Sequence, residues 1–281
     1  MTKQTPQQLG VCSWSLQAWT KSDLVSKVKQ VGVKKVQLAL TPHRGDPGDW
    51  AGVQDDLAGV DCRVVSGMFG TVGEDYTSPQ TIKATGGVVP DQHWDENKKI
   101  CKAAAETAVK MGLTIVSTHA GFLPHDTSDP TFKKLLDRIV YFANVHADHG
   151  LTLLFETGQE TAESLTAFLE ALDAAGATNT GVNFDPANMI LYDMGDPIDA
   201  LKKLMPRVQQ VHIKDANKTK TPGEWGEEVV VGTGEVDWPA FLKVLADADY
   251  TGELIFEREA GDTRVADIKQ GIENLKKVMS A

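Results

Sequence analysis

Residues 151–188 read LTLLFETGQETAESLTAFLEALDAAGATNTGVNFDPAN. An apolar run, Leu151–Glu156, gives way to an amphipathic stretch, Thr161–Ala175, and then to a second apolar run, Gly181–Asp185. Short runs of branched and aromatic residues around a longer helical period predict strand, helix, strand. Thr161 and Glu163 place an oxygen acceptor and an acid in the first helical turn, and Gly176 stands where a helix ends. A helical crossover of this length joins parallel strands with right-handed chirality.

The same unit recurs from end to end. Predicted strands are Leu9–Ser13, Val36–Leu40, Cys62–Met68, Leu113–His119, Leu151–Glu156, Gly181–Asp185, Val208–His212 and Glu253–Glu257. Predicted helices are Ser22–Val31, Asp49–Ala58, Asp95–Met111, Asp129–His149, Thr161–Ala175, Pro197–Met205, Asp237–Ala248 and Arg264–Met279. Asp129-Pro130, Asp196-Pro197 and Asp237-Trp-Pro239 put a capping carboxylate just ahead of a first-turn proline. Eight such units in 281 residues fit an α/β fold of one domain, 1–281, closed as a single (β/α)8 TIM barrel. No GxGxxG follows the first strand, which argues against a dinucleotide-binding open sheet. The longest irregular stretch, Gly67–Trp94, follows the third strand and is expected to cover the C-terminal ends of the strands.

Composition narrows the function. The chain has 28 Lys and Arg against 39 Asp and Glu, a net charge of −11, which disfavours a nucleic-acid partner. Three separated cysteines, Cys12, Cys62 and Cys101, predict buried thiols rather than disulfides or a thiolate zinc site. The first residues carry no apolar leader segment, and no run is long enough to span a membrane, so a cytoplasmic location is expected. Homo-oligomer formation is compatible with the sequence, which carries no feature that decides it.

Polar residues close four consecutive apolar runs: Glu156, Asp185, His212 and Glu257. Each is preceded by an apolar residue: Phe155, Phe184, Val211 or Phe256. Because side chains alternate along a strand, outward apolar neighbours aim all four polar groups into the mouth of the barrel. Three carboxylates and an imidazole brought together repel and lose solvation unless a divalent cation joins them. Oxygen and imidazole donors suit Mn²⁺, Mg²⁺, Co²⁺ or Zn²⁺ as a cofactor.

The segments FETG, NFDPAN, VHIKD and FEREAG, with GTGEVDW before the last crossover helix, resemble the xylose isomerase-like TIM-barrel superfamily. That superfamily includes sugar and sugar-phosphate isomerases, ketose 3-epimerases and endonuclease IV. The resemblance is specific over residues 151–260. It implies one divalent metal held by Glu156, Asp185, His212 and Glu257, with Glu156 and Glu257 also serving as the acid/base pair. The implied chemistry is removal of a proton beside a metal-chelated carbonyl and its return to the same or the neighbouring carbon, through an enediolate. Two departures stand out. Asn188 occupies the position where the epimerases commonly have a substrate-contacting histidine, and Lys214 stands where an arginine would be looked for.

Further candidates line the expected mouth. Lys214 shares its side of the strand with His212, and two roles fit it: a cation over a developing oxyanion, or a partner for a ligand carboxylate. His119 closes the fourth strand as a substrate hydrogen-bonder, a further ligand or a packed histidine. Trp14 and, less directly, Phe69 and Trp225 are aromatic candidates for a sugar face or for packing. Arg44 and Arg258 are the few arginines near strand ends, and Arg258 has outward parity, so an unphosphorylated sugar or polyol is the expected small-molecule substrate. His146 and His149 fall on the opposite face, where cationic side chains would suit a helix C-terminus. A lyase or hydrolase acting on a glycoside or keto-glycoside, a metal-bearing binding protein and an endonuclease IV-like enzyme are the competing readings; the last requires more histidines than the seven present.

Overall fold

A computed structural model describes residues 9–41 and 48–280. Eight parallel strands close into a barrel: β1 (Leu9–Cys12), β2 (Lys35–Ala39), β3 (Arg63–Met68), β4 (Ile115–Thr118), β5 (Thr152–Glu156), β6 (Thr180–Phe184), β7 (Val208–Ile213) and β10 (Glu253–Phe256). Two short strands, β8 (Asp215–Asn217) and β9 (Glu227–Val229), form an antiparallel hairpin between β7 and the last crossover. Each barrel strand pairs with its sequence neighbour, and β10 pairs with both β7 and β1 to close the ring.

The helices are α1 (Lys21–Val31), α2 (Val53–Ala58), α3 (Pro79–Thr85), α4 (Trp94–Lys110), α5 (Pro130–Ala147), α6 (Ala162–Ala174), α7 (Pro186–Leu191), α8 (Pro197–Leu204), α9 (Trp238–Asp247) and α10 (Arg264–Ser280). The expected caps are in place. Thr161 accepts from Ser164 N, Asp129 from Thr131 N, Asp196 from Ile198 and Asp199 N, and Asp237 from Ala240 N. Capping of this kind is worth about 0.5–2 kcal/mol per helix.

Three differences from the sequence expectation have local causes. The predicted helix Asp49–Ala58 shrinks to α2 because Gly52, at φ 73°, turns the chain left-handed just ahead of it. The stretch Gly67–Trp94 is not wholly irregular: Ser78 forms a capping box that starts α3 inside it. The segments after β6 and β7 contain α7 and the hairpin, both too short for periodicity to register.

Phe155, Phe184, Val211 and Phe256 are buried in the layer between barrel and helices, and Phe184 packs on Phe241 of α9 with ring centroids 5.9 Å apart. Their neighbours therefore face inward. The interior is not all hydrocarbon. Buried Ser66 donates to Gln210 Oε1 at 2.6 Å, Gln210 Nε2 to Asn183 Oδ1 at 3.2 Å, and Gln37 Nε2 to Ser117 Oγ at 2.8 Å. This polar layer satisfies its own donors and lies beneath the ring of acids. All three cysteines are buried and free, and no helix of the described residues is long and apolar enough to cross a membrane.

Candidate metal centre and its pocket

The ends of β5, β6, β7 and β10 bring Glu156, Asp185, His212 and Glu257 together. One donor atom from each lies within 4.8 Å of all the others, and all four residues are buried. His212 Nδ1 faces Glu156 Oε1 at 3.2 Å, Glu257 Oε2 at 3.5 Å and Asp185 Oδ2 at 3.9 Å. Its Nε2 lies 2.7 Å from Gln37 Oε1 and 3.0 Å from Asn183 Nδ2.

Asp185 is divided between two roles. Oδ1 accepts from Ala187 N at 2.8 Å and Asn188 N at 3.0 Å, capping α7, while Oδ2 accepts no hydrogen bond. Glu156 is similar. Oε1 accepts from Asn188 Nδ2 at 2.9 Å, whereas Oε2 accepts no hydrogen bond and only faces His119 Nε2 at 3.3 Å. Two buried carboxyl oxygens that accept no hydrogen bond are costly as they stand, and each faces an imidazole nitrogen, His119 Nε2 for Glu156 and His212 Nδ1 for Asp185. The donor set therefore fits a divalent cation of the oxygen-and-imidazole class.

Electrostatics point the same way. Burial, with help from Glu257 and Glu156, lifts the Asp185 carboxyl well above its ordinary range against the pull of Lys214 and His212. Burial and Glu257 also push Glu156 up, but His212 and His119 outweigh them and hold it at about 2. His212 loses solvation yet is raised well above the usual imidazole range by Cys12 and the glutamates. A divalent cation would compete with protons for these donors.

Lys214 lies in the wall of the site. Its Nζ donates to Glu257 Oε2 at 2.8 Å, Glu259 Oε2 at 2.7 Å and Asn188 Oδ1 at 3.2 Å. Trp14 Nε1 donates to Glu257 Oε1 at 2.8 Å, so both Glu257 oxygens are engaged. His119 contacts Glu156 on one side and the Tyr76 hydroxyl, 3.1 Å from Nδ1, on the other; burial opposes its charge, but Glu156 lifts it to about 9.

A cavity of about 460 Å³ opens beside the cluster, with Asn188, Lys214 and His119 at its polar end and Tyr76, Tyr192 and Trp225 among its walls. Tyr76 comes from the stretch after β3, and Trp225 Nε1 donates to its carbonyl at 3.1 Å. That stretch does reach across the mouth.

Other sequence candidates lie elsewhere. Phe69 is buried against Phe142 and His146, with centroids 5.8 and 5.7 Å away, so it packs outside the barrel instead of facing a sugar. Arg258 is engaged by Glu228 at 3.0 Å and Asp267 at 3.1 Å, as its outward parity implied. Arg44 lies outside the described residues. His146 is not the cation expected at a helix end: it is buried, and desolvation lowers it to about 4.

Sequence reasoning missed Gln37, Tyr76, Glu259 and Asp215. Asp215 explains the GTGEVDW segment: its Oδ1 accepts from Ala216 N and Val236 N, and its Oδ2 from Gly232 N, Gly234 N and Trp238 Nε1. Gly234 is required there, because a Cβ would lie 2.3 Å from Asp215 Oδ1. The loop thus clamps the residue after Lys214.

The family model described as xylose isomerase-like TIM barrel matches residues 59–278. The chain belongs to that family. A solved xylose isomerase domain protein from Planctomyces limnophilus superimposes on this xylose isomerase-like barrel with a TM-score of 0.81 and 30% identity, covering 90% of each chain. The uncharacterized protein YihM of Escherichia coli K12 is 27% identical over 198 residues, 68% of this chain and 59% of its own length. An inosose dehydratase of Bacillus thuringiensis strain Al Hakam is 23% identical over 145 residues, 47% of this chain and 48% of its own length. The chain thus matches about half to three-fifths of the length of these curated relatives.

Proposed function

We propose that this protein is a divalent-metal-dependent isomerase or epimerase that moves a proton at a carbon beside the carbonyl of an unphosphorylated keto sugar. The observation that carries this reading is the buried quartet of Glu156, Asp185, His212 and Glu257, in which Asp185 Oδ2 accepts no hydrogen bond and lies 3.9 Å from His212 Nδ1. A divalent ion held by Glu156, Asp185, His212 and Glu257 would supply Lewis-acid polarisation of the carbonyl and countercharge for its oxygen.

The two glutamates are unequal. Glu156 Oε2 faces only His119 Nε2, at 3.3 Å, whereas Glu257 has both oxygens held at 2.8 Å by Trp14 and Lys214. The less engaged carboxylate has an oxygen to turn toward substrate, so we assign Glu156 the proton abstraction. Glu257, on the other side of the cluster, returns one to the same carbon for epimerisation or to its neighbour for isomerisation. Lys214 and Asn188 hold the glutamates; Asn188 keeps one amide N–H for a sugar oxygen, and Lys214 is the countercharge nearest a developing oxyanion. Trp14 fixes Glu257 and borders the sugar. General acid–base help of this kind contributes about 10²–10⁴ in rate.

The partners of Lys214 and Arg258, among the described residues, support an unphosphorylated substrate. Lys214 already bridges two carboxylates, and Arg258 is committed to Glu228 and Asp267. The test is incubation of Mn²⁺-loaded protein with a panel of ketoses in D₂O. Deuterium entering a carbon beside the carbonyl is the expected result; no exchange with any sugar, by protein proven to hold metal, overturns the reading.

A second reading, elimination of water, is favoured by the position of Lys214 beside Glu257 and by the likeness to inosose dehydratases. Glu156 would take the α proton, and the β hydroxyl would leave as water on receiving a proton from Lys214. Loss of 18 mass units from a substrate, about one water, separates this outcome from simple exchange.

A further inference from the structure

We infer that Cys12, His212 and Gln37 form a second cation site, beneath the metal centre, selective for a thiophilic divalent ion such as Cd²⁺ or Zn²⁺. It uses the nitrogen of His212 that faces away from the acids, and a thiol that proton transfer does not need. Cys12 Sγ lies 3.7 Å from His212 Nε2 and 3.5 Å from Gln37 Oε1, and those two atoms are 2.7 Å apart. A sulfur, an imidazole nitrogen and an amide oxygen thus face one another in a triangle, on three residues that are all buried. Glu257 supplies a further donor: one atom each from Cys12, His212 and Glu257 lies within 4.8 Å of the others.

The dimensions suit a tetrahedral ion. Bonds of about 2.3 Å to sulfur and about 2.1 Å to nitrogen or oxygen hold sulfur about 3.6 Å from each of the other donors. The two edges that include Cys12, 3.7 and 3.5 Å, already have that length. The third edge, 2.7 Å, must open by about 0.7 Å, and Asn183 Nδ2, 3.0 Å from the same ring nitrogen, must turn aside. These are side-chain adjustments, small beside what a thiolate bond to such an ion returns.

The donors also choose the ion. Mg²⁺ and Mn²⁺ favour the carboxylates above, whereas a thiolate draws Zn²⁺ or Cd²⁺. As the ion binds, the thiol proton leaves for water and the imidazole is left with its proton on Nδ1. That N–H then points at Glu156 Oε1, 3.2 Å away, where it no longer serves as a metal donor. An ion in the lower site therefore takes the imidazole from the upper one, and a thiophilic metal acts as an inhibitor through shared residues. Spacing hides the pair, since Cys12 and His212 are 200 residues apart.

The test is titration of the metal-free full chain with Cd²⁺, read by the ultraviolet charge-transfer band of a cadmium–thiolate bond. A saturable band is expected in wild type and in Asp185→Asn, which removes a ligand of the upper site only. It should persist when Cys62→Ser and Cys101→Ser remove the other two thiols, and vanish in Cys12→Ser. Gln37→Leu keeps every thiol, so the band should remain while Cd²⁺ affinity falls about tenfold. The inference is overturned by absence of the band from wild type, by its survival in Cys12→Ser, or by unchanged Cd²⁺ affinity in Gln37→Leu. Loss of the band in Asp185→Asn also overturns it, by placing the thiol within the upper centre. The band reports binding alone, so failure of proton transfer in the ketose experiment leaves this result standing, and the reverse also holds.

Discussion

Gln37 Oε1 lies 2.7 Å from His212 Nε2, across the ring from Nδ1, which faces the carboxylates of Glu156, Glu257 and Asp185. With the ring proton on Nε2, this amide oxygen accepts it and Nδ1 is left to hold a cation. Gln37→Leu is expected to weaken Mn²⁺ binding about 10–100-fold in calorimetric titration while the protein stays folded. Unchanged affinity would show that packing alone orients the imidazole.

Asp185 separates charge from capping. Asp185→Asn keeps the acceptor for Ala187 and Asn188 N–H and removes a carboxyl whose ionisation burial opposes. The metal-free variant should be at least as stable as wild type, whereas Asp185→Ala should lose about 0.5–2 kcal/mol with the cap. In both, added Mn²⁺ should no longer raise the melting temperature. Equal destabilisation by the two substitutions would contradict the division of roles.

Asp215 receives five N–H donors while buried. Asp215→Asn turns an amide N–H₂ toward some of them and is expected to cost about 2–4 kcal/mol in denaturant unfolding. A cost below about 0.5 kcal/mol, the level of an ordinary surface substitution, would show that the clamp does not hold the loop.

Glu160, buried in the loop after β5, is lifted by desolvation to about 8 against the pull of His119. Its folded pKa lies above the ordinary 4.5, so its contribution to stability is full below that value and is lost as pH rises toward 8. Glu160→Gln stays neutral at every pH. Its melting temperature should exceed that of wild type by a margin that grows from about pH 5 to about pH 8 and then levels off, at about 2–4 °C per kcal/mol. A margin independent of pH would place the Glu160 carboxyl in an ordinary environment.

The barrel was legible because its signals are local: apolar runs of strand length, amphipathic crossovers and capping acids at Asp129, Asp196 and Asp237. The cluster was legible because alternation is strict, and Phe184 before Asp185 is enough to set a direction. The same parity, carried two residues back, places Asn183 and Gln210 inside the barrel. Gln37 gives no such signal, since its meaning depends on His212, 175 residues away. Tyr76 and Trp225 depend on how two loops cross the mouth, and α7 and the β8–β9 hairpin are shorter than the periods that reveal helices and strands. Phe69 misled because an aromatic at a strand end fits a pocket wall and a packing layer equally well.

The most direct measurement is the number of divalent ions bound per chain, by titrating metal-free protein with Mn²⁺ and confirming the bound metal by elemental analysis. One saturable ion per chain in wild type, lost in His212→Ala and in Asp185→Ala, is what the four-residue cluster requires. Wild-type metal content in those variants, or no saturable binding in wild type, would contradict the account.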